Sequence, residues 1–276
     1  MRVLRYFQPI RLRLGGVVTA TLFLIAACNA GNPKVPTGGD PIRMSESETD
    51  IAKDLWLRRN QPREALGHAL DATELDAENA EALHLVALLY LDLCGRSPDD
   101  CRLEEAERHA RAAVDVKRDY REAINTLGVV LIHRKKFDDA IVVLKPLTAD
   151  ILYQTPENAW GNLGWAYLEK GDFDSAIDAL SRAVAAQPMF CVGNYRLGTA
   201  YERKGQPAQA LAALDRALAT EDPGCQSLQD AYLARARVHA KLGQLDDARD
   251  DLDQCIALKK SSRTGKDCLS MTQKLK

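Results

Sequence analysis

Aromatic side chains are scarce in this chain of 276 residues, only 6% of the total, so any core it builds must be mainly aliphatic. No apolar run reaches the roughly 18 residues of a bilayer-spanning helix, which excludes a polytopic membrane protein. No block of basic residues is present either. The net charge is −2, and the only charged residues among the first 28 are Arg2, Arg5, Arg11 and Arg13; without them 33 basic residues face 39 acidic ones, a net of −6. A chain so charged, with no basic stripe, is not expected to bind nucleic acid. Catalytic signatures are missing as well. There is no HExxH, no G-x-S-x-G and no phosphate-binding loop, and no pair of carboxylates stands out as an acid/base couple. The expectation is a protein that is not an enzyme and carries no cofactor or metal. With 46% apolar and 28% charged residues it is a globular chain, not a disordered one.

What is present begins with an address. Residues 1–28 have a basic start ending near Arg13 and an apolar stretch from Val17 to Ala27, the plan of a secretion signal. Its end, Ile25-Ala26-Ala27-Cys28, resembles a bacterial lipobox. That resemblance implies cleavage before Cys28 and acylation of its thiol and new amine. Two or three acyl chains, at about 0.8 kcal/mol per buried CH₂, hold a protein durably to a membrane. Residue 29 is Asn, not Asp, which by analogy with enteric lipoproteins sends the protein to the periplasmic face of the outer membrane. The plainer alternative is a cleaved signal ending beside a chance cysteine. Residues 29–45 hold Pro33, Pro36, Pro41 and Gly38-Gly39, a linker composition. As a flexible coil it would reach about 20–25 Å.

From residue 46 the chain repeats itself. Trp160, Leu163, Gly164, Tyr167, Gly171, Ala176, Leu180, Ala183 and Pro188 stand in the order W-x₂-LG-x₂-Y-x₃-G-x₄-A-x₃-L-x₂-A-x₄-P, which resembles a tetratricopeptide repeat. Leu197, Gly198, Tyr201, Gly205, Ala210, Leu214 and Ala217 repeat it. The physical reading is a pair of antiparallel helices, A and B. A small residue midway along A lets B approach, and the large residue four after the B-helix alanine fills the space. One pair cannot cover its apolar face alone, so the pairs stack. The B-helix alanines Ala65, Ala106, Ala140, Ala176, Ala210 and Ala248 set the register, with gaps of 41, 34, 36, 34 and 38 residues. Six repeats follow, near 46–79, 80–119, 121–156, 157–190, 191–227 and 229–262, and residues 263–276 are left as a capping helix. The fold expected is all-α, a right-handed superhelical solenoid of six tetratricopeptide repeats. The surplus in repeat 2 falls in its inter-helix turn, Cys94 to Cys101, and that in repeat 5 around Asp222 to Cys225.

If Cys28 is lipidated, six of the seven cysteines remain, in a compartment that permits disulfides. The register suggests three local pairs. Cys94 and Cys101 bracket one loop; Cys191 and Cys225 stand near the starts of successive A helices; Cys255 faces the capping segment that carries Cys268. Cys255 also fills an alanine slot and could serve simply as a small core residue. A zinc site from Cys94, Cys101 and His109 lacks a fourth ligand.

A curved stack offers a concave groove lined by its A helices. Positions 2, 5, 9 and 12 of each unit should face it, which gives Glu81, His84, Leu88 and Leu91 in repeat 2; Glu122, Asn125, Val129 and Ile132 in repeat 3; Asn158, Gly161, Trp165 and Leu168 in repeat 4; and Val192, Tyr195, Thr199 and Glu202 in repeat 5. Leu88, Leu91, Val129, Ile132, Trp165 and Leu168 form an apolar run expected to take an amphipathic helix or apolar strand in preference to an acidic tail. The alternative is that tight curvature buries this run between neighbouring repeats. None of these positions holds Lys, so the carboxylate clamp of chaperone-tail-binding repeats is not expected. Of the five histidines, His84 and His133 are expected on A-helix surfaces, and His239 takes the slot of Tyr167 and Tyr201.

A lipobox, a Pro/Gly linker and six such repeats together resemble the type IV pilus pilotins, the Tgl/PilF/PilW group. The resemblance covers the whole chain. It implies an outer-membrane lipoprotein, monomeric alone, whose partner is the secretin of the type IV pilus machine and which promotes insertion and multimer assembly of that pore for twitching and social motility. Rival readings are an adaptor for peptidoglycan hydrolases, or a subunit of the outer-membrane β-barrel assembly machinery.

Overall fold

The structure, a computed structural model, describes residues 39–219 and 222–275. The signal, Cys28 and the linker up to residue 38 lie outside them. The described residues are helical, without strands. Six antiparallel helix pairs follow one another: α1 (Pro41–Leu57) with α2 (Pro62–Leu75), α3 (Ala80–Arg96) with α4 (Leu103–Val116), α5 (Arg121–His133) with α6 (Phe137–Leu147), α7 (Pro156–Lys170) with α8 (Phe173–Ala186), and α9 (Cys191–Arg203) with α10 (Pro207–Leu218). A four-residue helix, α11 (Pro223–Gln226), precedes the sixth pair, α12 (Gln229–Lys241) with α13 (Leu245–Lys259), and α14 (Arg263–Lys274) packs on α13. Among the described residues no helix is long and apolar enough to cross a membrane.

Each pair is set by the contact the repeat pattern encodes. At Gly164 an added Cβ would lie 2.5 Å from Leu180 Cγ, and at Gly198 2.6 Å from Leu214 Cγ. Leu180 and Leu214 are fully buried, so the absent side chain on helix A is what admits the leucine of helix B. Charged groups tie the stack between units. Glu107 on α4, 5% exposed, accepts from Arg134 at 2.5 Å and from Lys136 at 2.9 Å. Arg235 on α12 bridges Asp251 on α13 and Asp215 on α10, at 2.6 and 2.9 Å.

The A-to-B turn needs a left-handed residue. Gly171, Gly205 and Gly243 supply it at φ 90°, 79° and 76°, while Asn60 (57°) and Lys135 (61°) take the same place in repeats 1 and 3. A lysine strained there by its Cβ is a local cost. Lys135→Gly is expected to raise stability by about 0.5–1 kcal/mol, the relief being partly offset by the greater freedom of unfolded glycine; the midpoint of urea denaturation measures it. In repeat 2 the corresponding position is Cys94. There α3 runs on to Arg96, a 3₁₀ turn (Pro98–Asp100) follows, and Cys94 is bonded to Cys101 across it. The structure also pairs Cys191 with Cys225 and Cys255 with Cys268.

Helix α1 starts earlier than expected, inside the segment read as linker. Asp40 accepts a hydrogen bond from the Ile42 amide at 3.1 Å and Pro41 takes the first helical position. Ser45 and Thr49 are then buried against repeat 1's own end: the Ser45 hydroxyl donates to the Ala72 carbonyl at 2.8 Å, and Asn79 donates to both hydroxyl oxygens, at 2.8 and 3.2 Å. In sequence the prolines of this stretch resemble linker punctuation, whereas Asp40-Pro41 starts a helix.

Candidate concave binding groove

Successive A helices touch one another, α1 to α3, α3 to α5, α5 to α7, α7 to α9 and α9 to α12, and no comparable contact joins successive B helices. The A helices therefore line the inner side of the curve. That spacing decides which expected groove residues can be reached. Ile132 and Leu168 are each 2% exposed and Val129 9%. They are not groove lining, because the last turns of the A helices close on each other and bury them in the stack: Ile132 joins the cluster around Leu131 and Leu163, and Leu168 that around Leu197 and Leu180. Leu88, Leu91, Asn125, Trp165, Val192 and Tyr195 are half-buried. The continuous apolar run is thus broken, and the expectation of an apolar trough fails.

Polar groups run along the floor instead. Asn162 donates to Asn125 Oδ1 at 3.0 Å, joining α7 to α5. Arg196 on α9 donates from Nη1 to Asn162 Oδ1 at 3.2 Å and to the Gly161 carbonyl at 3.4 Å. Its guanidinium lies 4.1 Å from the centre of the Trp165 ring, and the other side of this cluster is closed by His133, edge-on to Trp165 at 5.1 Å. Arg196 is 7% exposed. Burial lowers its pKa from 12.5 to about 10, still far above neutral, so the group is charged. Burial, with the Arg196 charge behind it, pulls the His133 pKa down. In the next junction Glu202 accepts from Arg237 at 2.8 Å and from Lys241 at 3.0 Å, and those bonds hold its carboxyl below the usual range against burial.

His84 is not on the helix surface. It is 8% exposed, with Nε2 2.8 Å from Thr126 Oγ1 and Nδ1 3.1 Å from the Tyr120 hydroxyl, and burial pushes its pKa down to about 4. Sequence reasoning also passed over Arg196 and Asn162, both at position 6 of their units. The signal was present: Arg196 lies between Tyr195 and Leu197 on a helix packed on two sides, where a cation has little access to water. Among the described residues one group could hold a metal, Glu48, His68 and Asp71, whose ligand atoms lie within 4.8 Å of one another. It offers three ligands where a structural zinc takes four, and His68 Nδ1 is already 2.5 Å from Glu48 Oε2.

The comparisons with known proteins agree with this architecture. A family model described as tetratricopeptide repeat matches residues 157–190, and a second of the same description matches residues 195–261. No curated protein matches the sequence. The crystal structure of PilW, described as a widely conserved type IV pilus biogenesis factor, is similar over 82% of this chain and 98% of its own, with 24% identity and a TM-score of 0.67. Pseudomonas aeruginosa PilF is similar over 84% of this chain and 99% of its own, with 16% identity and a TM-score of 0.62. A tetratricopeptide repeat protein from Parabacteroides merdae covers 83% and 84%, with 16% identity and a TM-score of 0.66. At these identities the likeness is one of fold, and the chain is an all-α solenoid of six tetratricopeptide repeats closed by a C-terminal helix.

Proposed function

We propose that this protein is an outer-membrane pilotin: lipidated at Cys28, it holds a segment of the unassembled type IV pilus secretin in its concave groove and promotes insertion and multimerisation of the pore. The observation that carries the reading is a repeat stack that spans nearly the whole of PilW, a type IV pilus biogenesis factor, behind a sequence start that resembles a lipobox. The likeness to PilF supports it further. The mechanism needs binding, not bond-making. An acyl anchor on a short linker confines the groove to a thin layer beside the membrane, which raises the effective concentration of groove and subunit without any new contact. The subunit is held until neighbouring subunits replace the groove contacts.

In a deletion strain, secretin is expected to remain monomeric, pili to be lost, and heat-resistant secretin multimers to return with the wild-type gene but not with Cys28→Ala. Normal multimers in the deletion strain would remove the assignment. Altered cell shape with mislocalised peptidoglycan hydrolases would favour the adaptor role in its place.

A further inference from the structure

The groove floor holds a buried cation that makes no direct ion pair among the described residues, although the negative charge of Glu169 acts on it. Arg196 has no carboxylate within 4 Å among the described residues, and Glu202, a buried carboxylate of the same helix, pairs with Arg237 and Lys241. Its two hydrogen bonds both leave from Nη1, to Asn162 and Gly161, so Nε and Nη2 have no protein acceptor among the described residues. Taking a guanidinium out of water without an anion is costly. Stacking on Trp165 and the amide of Asn162 returns part of that cost and also fixes the plane of the fork. A planar fork held rigid on an aromatic face, with one edge used and one edge free, is the geometry that receives a carboxylate.

We propose that the junction of repeats 4 and 5 is an acid-recognition site, in which Arg196 takes an Asp or Glu side chain of an extended partner segment lying in the groove. A side chain, not a chain terminus, suits the place. The floor continues on both sides, through Asn162 to Asn125 in one direction and to Glu202 and Arg237 in the other, so a bound segment passes through the site. This deepens the pilotin reading by giving the chemistry of the segment recognised.

The test uses the full-length protein and a displayed library of random dodecapeptides. Recovered peptides are synthesised with each acid in turn replaced by its amide, and binding is measured by fluorescence anisotropy to wild type and to Arg196→Gln. One acidic residue is expected to dominate. Its replacement should weaken binding to wild type by about tenfold or more, and the acid and amide peptides should bind Arg196→Gln equally. Arg196→Lys, which keeps the charge and loses the fork, should discriminate less than wild type; if Arg196→Gln loses helicity, this variant carries the test. Peptides without an acid preference, a preference that survives in the variants, dependence on a free C-terminal carboxylate alone, or recovery of no peptide would each overturn the site. The two readings fail separately. Normal secretin multimers in the deletion strain would remove the pilotin role and leave the peptide result standing, and the absence of an acid preference in wild type, or its survival in Arg196→Gln, would do the reverse.

Discussion

Leu180→Ala is expected to cost the protein about 3–4 kcal/mol, because a fully buried leucine is removed from its place against Gly164 of α7. Gly164→Ala should be destabilising in its own right. The new Cβ would stand 2.5 Å from Leu180 Cγ and 3.1 Å from the Leu180 amide nitrogen, an overpacking cost of about 1–3 kcal/mol set against a gain in helix propensity of roughly 1 kcal/mol. The combination is the informative variant. With Leu180 shortened, the space that excluded the Cβ is open, so the double variant should be more stable than the sum of the single changes by at least about 1 kcal/mol. Urea denaturation of the four proteins measures this. Simple additivity would show that some other contact spaces the two helices.

Acid should weaken the stack through His84. An unfolded histidine titrates near 6.5, whereas the buried one titrates near 4, so in between the unfolded chain binds the extra proton. Stability from this site is complete above pH 6.5 and is lost as the pH falls towards 4. At pH 4.5 the loss is about 2–3 kcal/mol. His109 and His133, also held down chiefly by burial, act in the same direction. His84→Gln can keep hydrogen bonds to Tyr120 and Thr126 but cannot take a proton. Its melting temperature should therefore fall less than that of wild type between pH 7.5 and 4.5. An equal fall in both proteins would mean that His84 is hydrated and titrates normally.

The fold was legible because its pattern is local. Gly164 with Leu180, Gly198 with Leu214 and the run of B-helix alanines repeat at a spacing that only stacked helical hairpins satisfy. The groove was less legible because its lining depends on how tightly neighbouring units close, and one unit's sequence does not carry that angle. Ile132 and Leu168 stand where an open superhelix would expose them; here adjoining A helices cover them. Arg196 was missed for the complementary reason. Position 6 reads as flank in a single helix and becomes floor only when Trp165 of the preceding unit slides beneath it. The start of α1 was hidden by composition, since Asp40-Pro41 sits among prolines and glycines that also mark a linker.

The covalent ties are unevenly placed along the stack. Cys191–Cys225 fastens the beginning of repeat 5 to the approach of repeat 6, and Cys255–Cys268 fastens the last helix to its neighbour, while repeat 1 is kept in place by hydrogen bonds such as those of Ser45 and Asn79. Neighbour-only contact means that such a rod comes apart from its tips. Tension applied along this one should unzip it from the leading hairpin, whereas the trailing third stays knotted until a reductant arrives.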